Sequence, residues 1–458
     1  MADLFFSEAL LPDGWARNVR IAIADGRVAR IERDAAARPD DETHALGVPG
    51  LPNLHSHAFQ RGMAGLAEIR GPASDSFWTW RDRMYRFVGA MTPEDVEALA
   101  AQAYVEMLET GFTRVAEFHY VHHDRDGTAY ANLAELGARI GAAARQTGIG
   151  LALLPVFYAH AGFGGRAPDP AQRRFANDID QYGRLVEACR EALRGDPDAT
   201  VGIAPHSLRA VTPDELAALL PLAQGQPIHI HIAEQTREVD DCLAWSGQRP
   251  VEWLLDHAPV DGRWCLVHAT HMTPDETRRM AASGAVAGLC PITEANLGDG
   301  TFDAVRFAAA GGVYGVGSDS NVQIGAADEL RQLEYSQRLA LRARNVMAMG
   351  EGGSTGRALF DGALAGGAQA TGLAATGLAA TGIVEGGFAD LVGLARDHVA
   401  FAGRTGDALI DAWIFAGGRG LVDCVWMRGR KVVEHGCHRD AEAIARRFRR
   451  TLERLLTS

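Results

Sequence analysis

Two histidines two residues apart, His55 and His57, end the run Val48-Pro-Gly-Leu-Pro-Asn-Leu-His-Ser-His57. On an extended segment side chains repeat every second residue, so both imidazoles face the same way. The apolar entry through Leu51 and Leu54 reads as a strand that leaves a loop and ends in the pair, a placement suited to two metal ligands. With 16 histidines in the chain, the pair needs partners before it means anything. His229-Ile-His231-Ile-Ala-Glu234 is a second alternating strand that ends in His231 and Glu234. Asp319, in Gly317-Ser-Asp-Ser-Asn, follows the apolar run Val313-Tyr-Gly-Val. An aspartate among glycines and serines is often a turn former, but its place at the end of the last strand favours a ligand. Three histidines and one carboxylate complete a mixed N/O donor set for a divalent ion. His268, at the end of Cys265-Leu-Val-His, is a candidate for polarising a substrate or for a further ligand. His229 reads as a buried structural histidine and His271 as the start of the next helix. His119, His122 and His123, beside Asp124 and Asp126, read as surface or second-layer residues.

The elements that must carry these groups follow a regular order. Residues 1 to 48 give short alternating strands, with Asp25-Gly26 as a hairpin turn, and a similar signal returns over 384–436. We read these two ends as one small composite β-sandwich and 437–458 as a C-terminal helix. Between them, over 49–383, apolar strand-like runs alternate with helical patterns. Thr92-Pro, Thr212-Pro and Thr273-Pro, each followed by acids, are helix starts: a capping side chain, proline in the first turn and negative charge at the positive end of the dipole. About eight strand–helix units fit an α/β chain with a (β/α)8 TIM-type barrel, whose strand C-termini carry the chemistry. His55, His57, Glu117 to Tyr120, His206, His231, His268 and Asp319 all fall at such ends. A doubly wound open sheet, and with it an oxidoreductase, is the runner-up. It lacks the Gly-rich phosphate turn after the first strand. The repeat Ala-Thr-Gly-Leu-Ala over 370–382 reads as a surface extension.

Bulk properties narrow the function. A net charge of −13 argues against nucleic acid or an anionic membrane as partner. No apolar run approaches the ~20 residues of a membrane span, and the N-terminus has no signal-peptide pattern, so a cytoplasmic enzyme is expected. Six scattered cysteines without CxxC spacing read as reduced thiols. Lys431 is the only lysine among 45 basic residues. A two-metal barrel site bridged by a carboxylated lysine on a middle strand is therefore excluded, and one metal ion is expected.

His55-Ser-His57, His231-x-x-Glu234, His268 and Asp319 together resemble the amidohydrolase superfamily, in its mononuclear deaminase branch. Within that branch, His55-Ser-His-Ala-Phe-Gln-Arg-Gly-Met, Phe77-Trp-Thr-Trp-Arg81, Glu117-Phe-His-Tyr120, Ala204-Pro-His-Ser-Leu-Arg209 and Cys290-Pro-Ile-Thr-Glu-Ala-Asn resemble the formimidoylglutamate deiminases. Thr293-Glu-Ala-Asn296 departs from the Ser-Asn of purine and triazine deaminases and points away from nucleobases. The resemblance implies one divalent metal, Zn²⁺ or alternatively Fe²⁺, held by His55, His57, His231 and Asp319. It implies substrate contacts from Gln60, Arg81, Tyr120, His206 and Arg209, catalytic roles for Glu234, His268 and Asp319, and a homodimer. The activity it implies is hydrolysis of N-formimino-L-glutamate to N-formyl-L-glutamate and ammonia, in histidine degradation. Planar arginine forks suit the two carboxylates of this small anionic amidine, and Arg61 behind Gln60 adds to the local positive charge. Another deaminase of the branch, acting on a guanine-like or other aromatic amine, is the alternative; aromatic stacking residues would favour it, and convergent arginines would oppose it. A metal-binding barrel without catalysis would lack Glu234 or His268. One methylene separates the glutamate compound from its aspartate analogue, a difference that hydrocarbon contacts discriminate weakly.

Overall fold

The computed structural model describes residues 3–68, 70, 77–348, 350–373, 382–417 and 419–457. The repeat expected as a surface extension falls partly at 374–381, outside the described residues.

Alternating residues at both ends build one eight-stranded sheet. Its N-terminal strands are β1 (Leu4–Leu11), β2 (Gly14–Ala24), β3 (Arg27–Glu32) and β4 (Glu42–Pro49). Asp25 and Gly26, both at positive φ, make the tight turn between β2 and β3, where a right-handed strand twist demands it. The barrel strands follow: β5 (Leu51–Ser56), β6 (Phe112–His119), β7 (Gly150–Phe157), β8 (Thr200–Val201), β9 (Ala204–Pro205), β10 (Ile228–Ile232), β11 (Trp264–His268), β12 (Val286–Leu289) and β13 (Val313–Val316). The chain then returns through β14 (Leu391–Leu394), β15 (Val422–Met427), β16 (Arg430–Glu434) and β17 (Cys437–His438). In the end sheet the order is β17-β16-β15-β14-β4-β1-β2-β3, so β4 and β14 join the two chain ends antiparallel. The sheet rolls over its own apolar face. Its outer strand β3 bonds back to Gly386 and Gly387, just ahead of β14, and Phe6 reaches Trp426 across three strand spacings with ring centroids 5.8 Å apart. Cys437–His438 closes this sheet rather than opening a helix; the C-terminal helix spans Ala441–Thr457.

The middle of the chain is a (β/α)8 barrel of parallel strands. Two runs, β5-β6-β7-β8 and β10-β11-β12-β13, form its halves. The fourth strand is split into β8 and β9. An added Cβ at Gly202, between them, would lie 2.4 Å from the Pro227 carbonyl oxygen, so the next strand's entry crowds the gap. Bridges Ile203–Ile228 and Ser207–His231 seal one seam and Ser56–Asp319 the other. Thr92, Thr212 and Thr273 begin their helices with reciprocal capping boxes to Asp95, Glu215 and Glu276, as their sequence pattern suggests.

Candidate active site

The first and last barrel strands are tied together behind the metal-binding candidates. Asn53 Nδ2 donates to Ser318 Oγ at 2.6 Å, and Ser318 Oγ donates to Asn321 Oδ1 at 2.6 Å. Asn321 Nδ2 in turn reaches the carbonyl oxygens of His57 and Asp319, at 3.1 and 3.0 Å. The backbone N–H groups of His57 and Asp319 donate to the carbonyls of Asp319 and His55, each at 2.9 Å. Gly317 lies so close to this seam that a Cβ there would sit 2.7 Å from the backbone N and O of His55. This lacing fixes His55, His57 and Asp319 as one unit although 262 residues separate His57 from Asp319.

Their side chains converge with His231. Nε2 of His55 is 3.1 Å from Nε2 of His231 and 3.4 Å from Asp319 Oδ1, and Nε2 of His57 is 3.3 Å from the same oxygen. His57 Nδ1 donates to the Phe118 carbonyl at 2.9 Å and His231 Nδ1 to the His206 carbonyl at 3.1 Å. Each therefore turns a bare Nε2 lone pair inward. Burial holds His231 well below the usual imidazole range and His55 down at about 3, so the rings are neutral. Burial alone would raise the Asp319 carboxyl, but the His55 ring beside it outweighs that and holds it ionised. The inward lone pairs of His57 Nε2 and His231 Nε2 converge with a carboxylate oxygen and the His55 ring at 3.1–3.4 Å, an arrangement that a cation between them satisfies. Bonds of about 2.0–2.2 Å at tetrahedral angles place donor atoms about 3.3–3.6 Å apart. The donor set thus fits one divalent ion.

Beside these donors stand the acid–base candidates. His268 Nε2 lies 3.7 Å from Glu234 Oε1 and 3.9 Å from Asp319 Oδ2. Burial would depress the His268 ring, yet the carboxylates of Glu234, Glu294 and Asp319 push it up to about 10, making it an imidazolium donor. Burial pushes Glu234 up to about 7, against the pull of His268. Both His268 and Asp319 have left-handed backbones, φ 68° and 44°. A non-glycine residue there costs on the order of 1–3 kcal/mol, tolerated where surrounding structure enforces it.

The cavity above is lined by His57, Gln60, Arg81, Tyr120, His206, Arg209, His231, Glu234, His268 and Asp319, with His55 wholly buried beneath. All the candidate site residues therefore meet in one place. Gln60 sits on the 3₁₀ turn Ala58–Met63, which Glu117 anchors by accepting the Ala58 N–H at 2.7 Å. Gln60 Nε2 donates to the Tyr120 hydroxyl at 2.9 Å, which fixes the amide so that its buried Oε1 is left without a donor. Arg81 comes from the helix Phe77–Ala90, which also brings Met84 and Tyr85 to the cavity.

Some expectations change. Arg61 is not a pocket cation: it pairs with Glu106 at 2.8 Å and donates to the carbonyls of Asn321 and Val322. His122 and His123 are buried, not on the surface, with ring nitrogens bonded to the carbonyls of Val156 and Ala176 at 2.8 and 2.7 Å; His119 is buried beside them. His271 precedes rather than begins the helix Pro274–Ser283. His229 is the buried structural histidine expected, its Nε2 bonding the Ala370 carbonyl at 2.8 Å. Glu294, noticed only as a departure from a motif, bonds His268 Nδ1. The rings of Trp80, Tyr85, Tyr158 and Phe175, and Gln172 behind them, went unread. Only the aromatic count of Phe77-Trp-Thr-Trp hinted at such a wall, and the side chains of 77–79 lie outside the described residues.

Residues 47–432 match the amidohydrolase family, and residues 1–45 match the N-terminal domain described as that of the formimidoylglutamate deiminase HutF. A formimidoylglutamate deiminase of Pseudomonas aeruginosa is 52% identical over 458 residues, 100% of both chains. An 8-oxoguanine deaminase of the same organism is 27% identical over 71% of this chain and 73% of its own. A crystal structure of an amidohydrolase from Brucella melitensis superposes with a TM-score of 0.96 at 59% identity, covering 100% of both chains. The fold is shared at TM-score 0.82 and 22% identity with an adenosine deaminase from Xanthomonas campestris with bound zinc, over 100% of this chain and 99% of that one. With matched residues running from end to end of the barrel and beyond it, this chain belongs to the amidohydrolase family.

Proposed function

We propose that this chain hydrolyses N-formimino-L-glutamate to N-formyl-L-glutamate and ammonia, with one Zn²⁺ held by His55, His57, His231 and Asp319. The observation that carries the reading is the convergence of Arg81 and Arg209 on the cavity whose floor is that donor set. Two guanidinium forks are the natural complement of a substrate with two carboxylates, and the full-length relative at 52% identity is named a formimidoylglutamate deiminase. Aromatic rings in the same cavity would suit a flat heteroaromatic amine, but such a ring carries no carboxylate for the two guanidinium groups to bind. The reading carries with it a role in histidine degradation and a cytoplasmic homodimer, both on family resemblance; among the described residues no helix is long and apolar enough to cross a membrane.

When bound, the ion supplies Lewis acidity that lets water act as a nucleophile near neutral pH. Arg81 and Arg209 hold the carboxylates, and the Gln60 Oε1 acceptor receives a formimino N–H. Asp319 takes a proton from the attacking water as the oxygen bonds to the formimino carbon. Glu234, poised at about 7, gives its own carboxyl proton to the departing nitrogen and recovers one from the new C–OH as the intermediate collapses. The leaving ammonia takes the proton held on Asp319. His268, as an imidazolium, stabilises negative charge that develops on the oxygen. Collapse breaks the C–N bond, and in sum amidinium plus water gives formyl amide plus ammonium.

Ammonia release by the metal-replete protein from formiminoglutamate, formiminoaspartate, guanine and cytosine tests this. Turnover of formiminoglutamate is expected, with one zinc per chain by elemental analysis; release from guanine alone overturns the assignment.

A further inference from the structure

Two tyrosines that line the cavity share one hydrogen-bond donor. Gln172 Nε2 donates to the Tyr158 hydroxyl at 2.6 Å and to the Tyr85 hydroxyl at 3.2 Å. The amide cannot be turned round, because Gln172 Oε1 accepts the backbone N–H of Asp169 at 2.8 Å. A phenol oxygen that accepts from an N–H keeps its own proton to give elsewhere. The two hydroxyls also hydrogen-bond each other, and among the described residues neither meets a carboxylate or a carbonyl, so one proton is held within the pair and the other is left to give. Both rings face the cavity that holds Arg81 and Arg209, and the Arg81 guanidinium lies 5.5 Å from the Tyr85 ring centre, one helical turn away on the same helix. Burial raises the Tyr158 phenol far above its ordinary range, and Arg209 and Arg81 oppose that only in part, so it stays a donor at any working pH. The cavity therefore presents a hydrogen-bonded pair of neutral phenols next to two cations. One O–H is there to give at once, and the second is freed when a carboxylate, a stronger acceptor than a phenol, replaces the bond between them.

We propose that Tyr85 and Tyr158 are specificity-determining residues that donate their hydroxyl protons to substrate carboxylate oxygens alongside Arg81 and Arg209, with Gln172 as the positioning residue that aims both. The inference rests on the formiminoglutamate reading and sharpens it: a carboxylate has more lone pairs than one guanidinium fork can fill, and the phenols supply the remaining donors. Hydrogen bonds to a charged partner are roughly twice as strong as neutral ones, so each is expected to matter by about tenfold or more.

The test compares the Tyr85→Phe, Tyr158→Phe and double Phe variants with the parent, each loaded with metal. Ammonia release is measured from formiminoglutamate, from N-formiminoglycine and from 4-(formimino)aminobutyrate; the last two each keep one carboxylate. The expected result is that the preference in kcat/KM for the diacid over at least one of these analogues falls about tenfold in a single variant and further in the double variant. Calorimetric affinity for the product N-formylglutamate is expected to weaken in parallel, with metal content unchanged. Parental preferences and product affinity in all the variants overturn the inference while leaving the deiminase reading intact. A parent that releases no ammonia from formiminoglutamate overturns the deiminase reading and the inference with it.

Discussion

Nδ1 of His268 lies 3.3 Å from Oε1 of Glu294, and the same carboxylate oxygen accepts the backbone N–H of Cys290 at 2.9 Å. The carboxylate is thus fixed by the N-cap residue of its own helix, Pro291–Leu297, and it fixes the ring that faces the reacting carbon. Groups that orient a site residue in this way are typically worth about 10–100-fold. Glu294→Ala is expected to lower kcat by that order with metal content unchanged, and Glu294→Gln, which keeps an acceptor oxygen, by less. Steady-state kinetics with elemental analysis checks both.

Metal holding and proton transfer separate at His231 and Glu234. His231→Ala removes a ligand and is expected to lose bound metal, activity and the thermal stability that a bound ion confers. Glu234→Gln keeps shape and donor set, so metal content should stay near one per chain while kcat falls by about 10²–10⁴-fold. Turnover of Glu234→Gln at the parental rate would remove Glu234 from the mechanism.

Gly317 bears on both stability and metal affinity. A methyl group there meets backbone, not a flexible side chain, 2.7 Å from the N and O of His55, so the seam has to open to admit it. Gly317→Ala is expected to cost on the order of 2–3 kcal/mol, as overpacking of a tight interior does. It should also weaken metal retention, because His55 and Asp319 are moved apart; denaturant midpoints and a chelator competition read the two effects.

Asp390, where the end sheet meets the barrel, gives a pH dependence of stability. Burial pushes its carboxyl up to about 7, Asp198 adds to the shift, and Arg114 opposes it. The unfolded carboxyl titrates near 3.9. Between those values the folded chain holds a proton that the unfolded chain has released. This contribution is therefore full below about pH 4 and is lost as pH rises through about 7, with a slope of at most about 1.4 kcal/mol per pH unit. Asp390→Asn keeps an acceptor for the Arg428 N–H, now bonded at 2.7 Å. Urea midpoints of the variant are expected to fall less between pH 5 and pH 8 than those of the parent.

Much of this was legible in the order of residues. Alternation placed His55 with His57 and set His231 at a strand end, and the Thr-Pro-acid pattern marked helix starts at Thr92, Thr212 and Thr273. Such signals are local: they depend on neighbours two to four residues away. What escaped depends on partners far off in the chain. Arg61 was read beside Gln60 as a substrate cation, yet its partner Glu106 lies 45 residues on, across two helices. Gln172 acquires its role only when the helix bearing Tyr85 folds over the loop at 170, 87 positions from it. Glu294 sits in a motif that was read, but the spacing of a helix start cannot say which histidine its carboxylate will touch. Periodicity tells which face a side chain takes, and not what stands opposite.

The asparagine and serine lacing between β5 and β13 has a consequence for synthesis. N-terminal segments emerge first from the ribosome, and His55 and His57 are made hundreds of residues before Asp319. A nascent chain that stops short of β13 holds the imidazoles of His55, His57 and His231 but neither the carboxylate nor the seam that seats it. Competence then arrives in one step, when the last barrel strand closes on the first, so fragments and stalled chains have no partial activity and only a weak claim on the cell's free metal.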